Sequence, residues 1–104
     1  MAFVKAAEAA AIPSGEGIVV EVEGKKIALF NCDGNYFATD NTCVHRGGPL
    51  GEGLVEGTTV ICPRHGWEFD VSSGACLTNR KARIGVYPTK VEGEDLLVDV
   101  SAGS

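Results

Sequence analysis

The sequence predicts an all-β fold: a sandwich or barrel base of antiparallel strands with a loop-rich unit inserted into it. Gly24, Gly34, Gly57, Gly74 and Gly93 punctuate the chain, and short alternating or β-branched runs lie between them. That spacing of turn residues and strand-length runs is a sandwich or barrel signature. Only Glu8 to Ala11 has helical composition, and Pro13 limits it to a turn or two.

The elements follow in order. Ile18, Val20 and Val22 alternate with Val19, Glu21 and Glu23, the period-2 pattern of a strand with one buried face. Glu23-Gly24 turns the chain into Lys26 to Cys32, giving a hairpin. Asp33-Gly34-Asn35 turns it again into a strand from Tyr36 to Thr39, and Thr58 to Ile61 suits another. Trp67 and Phe69 stand two apart, as on one face of a strand, and are expected in the core. Ile84 to Val91 and Leu96 to Val100 flank Glu92-Gly93-Glu94-Asp95, whose polar residues tolerate positive φ, so a last hairpin is expected there. Val100 and Ser101 to Ser104 are expected to fray.

At 104 residues the chain fits one domain with room for a single site. Nine basic against fourteen acidic residues leave a net charge of -5, which argues against binding a phosphate backbone, so no nucleic acid partner is expected. No stretch approaches the roughly 18 apolar residues of a membrane span, and Met1 to Ala11 lacks a basic start leading into a long apolar run. No membrane partner and a cytoplasmic location are therefore expected. Of the four cysteines, Cys32 and Cys76 have no histidine beside them and read as ordinary small side chains, with a mutual disulfide the lesser alternative.

The other two cysteines are paired with the only two histidines. Cys43-Val44-His45 and Cys62-Pro63-Arg64-His65 offer two thiolates and two imidazoles, a four-donor metal set. One alternative is zinc, for which two Cys and two His make a closed structural site and a zinc-stabilised binding module without a redox role. Zinc sites more often space Cys from Cys and His from His. A Cys-His pair on each loop suits two metal ions that need different ends, because two histidines can replace two cysteines on one iron of a [2Fe-2S] cluster. With neutral histidines, two ferric ions, two sulfides and two thiolates sum to zero, so an electron is added more easily than to a four-thiolate cluster carrying two negative charges.

The C-x-H and C-x-x-H pairs, with Gly47, Gly48 and Gly66 after them, resemble the Rieske family signature, and the likeness extends through Gly48-Pro49-Leu50, Gly66-Trp67-Glu68-Phe69-Asp70, Ser73-Gly74 and Tyr87-Pro88. The resemblance implies a single Rieske domain over residues 1–104, with a cluster-binding subdomain of two ligand loops at about 41–81 in a β base. It implies one Rieske-type [2Fe-2S] cluster held by Cys43, His45, Cys62 and His65, with the thiolates on a buried iron and the imidazoles at an exposed corner. High-potential Rieske proteins carry a further cysteine on each loop and a serine and a tyrosine after the second. Here those positions appear as Gly48, Arg64, Trp67 and Phe69. Each hydroxyl lost to the cluster sulfurs is worth about 1 to 2 kcal/mol, or roughly 40 to 90 mV for one electron. Arg46 and Arg64 oppose this by only about 1 kcal/mol each when solvated, so a low-potential centre is expected. Many relatives also cover the cluster with a proline-rich third loop, whereas Leu77 to Arg83 contains no proline.

Both histidines are consumed by such a cluster, which leaves none for a mononuclear iron, and no glycine-rich dinucleotide fingerprint is present. The resemblance therefore implies an electron carrier rather than an enzyme. Its expected partners are a flavoprotein reductase and a terminal oxygenase, the alternative being the large subunit of an NADH-dependent nitrite reductase.

Overall fold

The computed structural model describes residues 3–41, 49–63, 66–79 and 81–100. Three antiparallel sheets carry the fold, and the all-β expectation holds. The first sheet joins β2 (Glu16–Val22), β3 (Lys25–Cys32), β4 (Asn35–Asp40) and β8 (Val86–Tyr87) in that order. The second joins β1 (Val4–Glu8), β10 (Asp95–Val98) and β9 (Thr89–Glu92). The third, built from β5 (Leu54–Glu56), β6 (Thr59–Ile61) and β7 (Glu68–Asp70), falls in sequence between β4 and β8.

Turn chemistry fixes the register of the first sheet. Val22 pairs with Lys25 across Glu23 (φ 50) and Gly24 (φ 81), and Cys32 with Asn35 across Asp33 (φ 55) and Gly34 (φ 91). Two consecutive positive φ values are the type I′ pattern, whose twist matches that of the flanking strands. The second turn is held further by the Gly34 amide, which donates to Asn31 Oδ1 at 2.8 Å.

Two cores meet on β3. Ile27 and Leu29 face the layer between the first two sheets, with Ile12, Val22, Ala38, Leu96 and Val98. Ala28, Phe30 and Cys32, pointing to the other side, join Leu50, Val55, Val60, Cys62, Phe69, Val71, Cys76 and Ile84 beneath the third sheet. This explains why Ile27 to Phe30 reads as a continuous apolar run rather than an alternation, since both faces are buried there.

Several elements differ from the sequence reading. Ile84 to Val91 is not one strand. Pro88, which has no N–H to give a ladder, divides it into β8 on the first sheet and β9 on the second, while its carbonyl accepts from the Asp99 amide at 3.1 Å. β1 carries no visible alternation and is created by pairing, Val4 with Val98 and Glu8 with Asp95, around an irregularity between Lys5 and Ala7. The helical run shrinks to a 3₁₀ turn at Ala9–Ala11. Val100 does not fray but is buried in the first core, while Ser101 to Ser104 lie outside the described residues. Among the described residues no helix is long and apolar enough to cross a membrane.

Gly24 and Gly74 both adopt left-handed backbone, at φ 81 and φ 83, but a Cβ at Gly24 would meet open space whereas one at Gly74 would drive into the Ile84 carbonyl oxygen. Gly24→Ala should lower the unfolding free energy by about 1 kcal/mol, the cost of left-handed backbone alone. Gly74→Ala should cost about 3 kcal/mol or more, because the backbone must also move. Urea denaturation of the two variants in parallel checks the difference.

Candidate metal centre

The second ligand segment is the tip of a hairpin. Ile61 at the end of β6 pairs with Glu68 at the start of β7, so residues 62–67 form the connecting loop. The Cys62 amide donates to the Trp67 carbonyl at 2.7 Å, and the Gly66 amide returns to the Cys62 carbonyl at 3.1 Å. Cys62 is thus tied through both of its main-chain polar groups, and its side chain is 2% exposed in the second core. Phe69 is fully buried in that core and Trp67 packs partly buried against it, as expected for both. His65, the other predicted donor of this loop, lies outside the described residues.

The first ligand segment leaves the end of β4 and returns at Pro49. Cys43 and His45 lie in the part of it that is outside the described residues, but its neck is described. Asn41 closes that neck with two bonds: its carbonyl accepts from the Leu50 amide at 2.7 Å and its side-chain Oδ1 accepts from the Gly51 amide at 2.8 Å. Leu50 anchors in the second core with no exposed surface. Gly51 is pressed onto β2, where a Cβ would lie 2.5 Å from Val19 Cγ2 and 2.8 Å from the Ile18 carbonyl oxygen. At Gly53 a Cβ would collide with the Ile61 carbonyl. The exit of the first loop therefore abuts the residue that precedes Cys62, and both ligand segments spring from one place.

A third segment flanks this place. Phe69 bridges to Cys76, and the Leu77 amide donates to the Glu68 carbonyl at 2.7 Å. Without a proline, the turn is organised by Asn79: its amide donates to Cys76 Sγ at 3.3 Å, its Oδ1 accepts from the Lys81 amide at 3.0 Å and its carbonyl from the Ala82 amide at 3.0 Å. Cys32 and Cys76 are both free and buried, as small side chains of the core. Burial raises the Cys32 thiol pKa, and the Asp70 charge raises it further, so it stays a neutral thiol.

Asp40, just before the neck, is tied to the strand that follows the third segment. Its amide donates to the Gly85 carbonyl at 2.9 Å, Oδ2 accepts from the Gly85 amide at 3.0 Å, and Oδ1 accepts from the Tyr87 hydroxyl. Sequence reading passed over Asn41, Asp40 and Asn79. Only Asn79 carried a local signal, as a short amide side chain that bonds the main chain two residues on, whereas Asp40 and Asn41 bond to main chain remote in sequence.

Residues 2–88 match the family model of the Rieske [2Fe-2S] domain. The chain belongs to the Rieske [2Fe-2S] domain family. The ferredoxin component of a naphthalene 1,2-dioxygenase system from Pseudomonas aeruginosa is 40% identical over 91 residues, spanning 86% of this chain and 88% of that one. The biphenyl dioxygenase ferredoxin subunit of Pseudomonas sp. strain KKS102 is 38% identical over 103 residues, spanning 97% and 94%. Among solved structures, the Sphingomonas yanoikuyae B1 ferredoxin superposes with a TM-score of 0.85 at 32% identity, covering 94% of this chain and 98% of its own. The complex of reduced oxygenase and oxidized ferredoxin in carbazole 1,9a-dioxygenase contains a chain that superposes at 0.84 with 26% identity, covering 92% and 91%. A putative NADH-dependent nitrite reductase small subunit from Mycobacterium tuberculosis superposes at 0.86 with 26% identity, covering 93% of each.

Membership of the Rieske family implies a [2Fe-2S] cluster, and the described residues fit one. Cys62 is a free thiol just past the end of β6, in no disulfide, and a coordinated metal ion would itself deprotonate such a thiol. Main-chain bonds from Cys62 to Trp67 and from Gly66 to Cys62 fix the backbone that carries the thiol.

The Asp40 link gives the Rieske domain a pH signature. Burial, the hydrogen bond to Asp40 and the Asp40 charge together raise the Tyr87 pKa to about 12, from an ordinary value near about 10. Between these two values the unfolded chain has released a proton that the native state retains, so stability is fully present below about pH 10 and falls as pH rises to about 12. Tyrosinate absorbance lost on Tyr87→Phe should titrate at about 12, and that variant should also lose its share of the alkaline destabilisation.

Proposed function

We propose that this protein is a small electron-transfer component that carries one electron from a flavin-dependent reductase to a terminal oxygenase. The observation that carries the reading is similarity over nearly the full length of both partners to ferredoxin components of dioxygenase systems. A chain of the same fold occurs in a complex of oxygenase and ferredoxin. In this reading the whole chain is one domain, with residues of about 41–81 as its cluster-binding unit.

Cys43 and Cys62 would hold one iron and His45 and His65 the other. A [2Fe-2S] cluster so held takes up and releases a single electron at a potential within about -150 to +300 mV. The chain's own residues set the conditions. Cys62, tied at both main-chain groups and buried, suits the shielded end, which leaves the imidazole end as the outlet toward a partner. The second ring nitrogens of His45 and His65 would each hold a proton that leaves more readily when the centre is oxidised. No hydroxyl is available at Trp67 or Phe69, so the potential falls toward the low end. Free buried cysteines outside the ligand set, Cys32 and Cys76, suit a reducing compartment, and we place the protein in the cytoplasm.

A second setting, as small subunit beside the large subunit of an NADH-dependent nitrite reductase, is favoured by the likeness to the mycobacterial protein. Its identity of 26% against 40% for a dioxygenase ferredoxin favours the first. A zinc-stabilised module without a redox role is disfavoured by the family match.

The aerobically purified protein should be coloured, contain iron and acid-labile sulfide in equal amounts, and give a mixed-ligand [2Fe-2S] EPR signal after reduction with dithionite. Cys62→Ser and His65→Ala should each abolish or convert that signal, and unchanged spectra would refute the ligation. The midpoint should lie below about +150 mV and decline at alkaline pH. Hydroxylation by purified naphthalene 1,2-dioxygenase with its flavoprotein reductase should depend on added protein, whereas nitrite reduction should not.

A further inference from the structure

We infer that Asn41 is a positioning residue for the metal centre, closing the neck of the first ligand loop so that Cys43 and His45 are presented together. The inference rests on the ligation proposed above, but its evidence lies in described residues. Asn41 is 6% exposed and stands at the junction where β4 ends. Its carbonyl and its Oδ1 accept from two successive amides, Leu50 and Gly51, on the returning chain. Its own amide donates to the Lys26 carbonyl at 3.3 Å, which fixes it to the base sheet.

The far side of the neck is immobilised independently. Leu50 is fully buried, and Gly51 sits too close to β2 for any side chain. Asn41 thus joins two rigid walls, and the two predicted donors lie between them in sequence. A thiolate and an imidazole bound for different irons must arrive in one fixed relation. Holding both ends of their loop removes conformations in which only one can bind. A backbone bond alone closes the neck at one point and permits rotation about it. The side-chain bond to the next amide supplies the second point, and an alanine cannot make it.

The test compares wild type, Asn41→Ala and Asn41→Asp as purified holoproteins. Iron release to a strong chelator, below the urea concentration that unfolds the base, should be about tenfold faster for Asn41→Ala. Its reduced EPR spectrum should broaden and its midpoint shift. Asn41→Asp keeps an oxygen acceptor at the same reach and should retain iron within about twofold of wild type. These readouts separate positioning from simple destabilisation, which would lower the urea midpoint without altering the spectrum of the folded fraction. Hydrogen exchange on the wild type covers the case in which Asn41→Ala does not fold, since the Leu50 and Gly51 amides should be protected at least about 100-fold. Unchanged iron release and EPR in Asn41→Ala, or unprotected exchange at Leu50 and Gly51, would overturn the inference. Absence of iron and sulfide from the wild type would instead refute the ligation, leaving exchange to judge the neck.

Discussion

Burial of β3 on both faces is the constraint through which the two halves of the molecule are joined. Ile27 and Leu29 belong to one core, and Ala28, Phe30 and Cys32 to the other. Each large apolar side chain so enclosed contributes about 1.5 to 3 kcal/mol. The third sheet has strands of three residues, too short to stand alone in water. It borrows its stability from Phe30 and its neighbours, and the base in turn has that face of β3 covered.

How much was legible in the sequence follows from which forces act locally. The hairpins at Glu23-Gly24 and Asp33-Gly34 were readable because type I′ turns demand residues that tolerate positive φ. The strand from Ile18 to Val22 was readable because one face meets water. β1 was invisible because its identity comes from β10, a partner far along the chain, and its alanines favour no strand by themselves. The division at Pro88 was marked by the proline, but the same residues read as a continuous run when the missing ladder donor is ignored. Two of the four sites of departure, β1 and Val100, lie where distant segments meet.

At the candidate metal centre the proposed donors were legible as residue types at a telling spacing, while the residues that brace their loops were not. Cys62 stands at a hairpin tip because β6 and β7 pair around it, and pairing of two such short runs is a tertiary event. Asn41, Asp40 and Asn79 act through bonds to main chain that is distant or unmarked in sequence. The cysteines illustrate the same division. Cys32, Cys62 and Cys76 share the second core, and only the histidine three residues on marks Cys62 as the proposed donor.

Past the first loop, Gly51 lies against Val19 and Ile18 of the base and Gly53 against Ile61 and Val60 of the third sheet, with no room for a Cβ at either. A side chain at either position would have to displace main chain or a packed neighbour, so these two bare residues set the spacing between the base and the third sheet. Outward positions such as Leu54 and Leu77 carry no such steric limit. Room for substitution is thereby divided between an open surface and a joint closed to any Cβ.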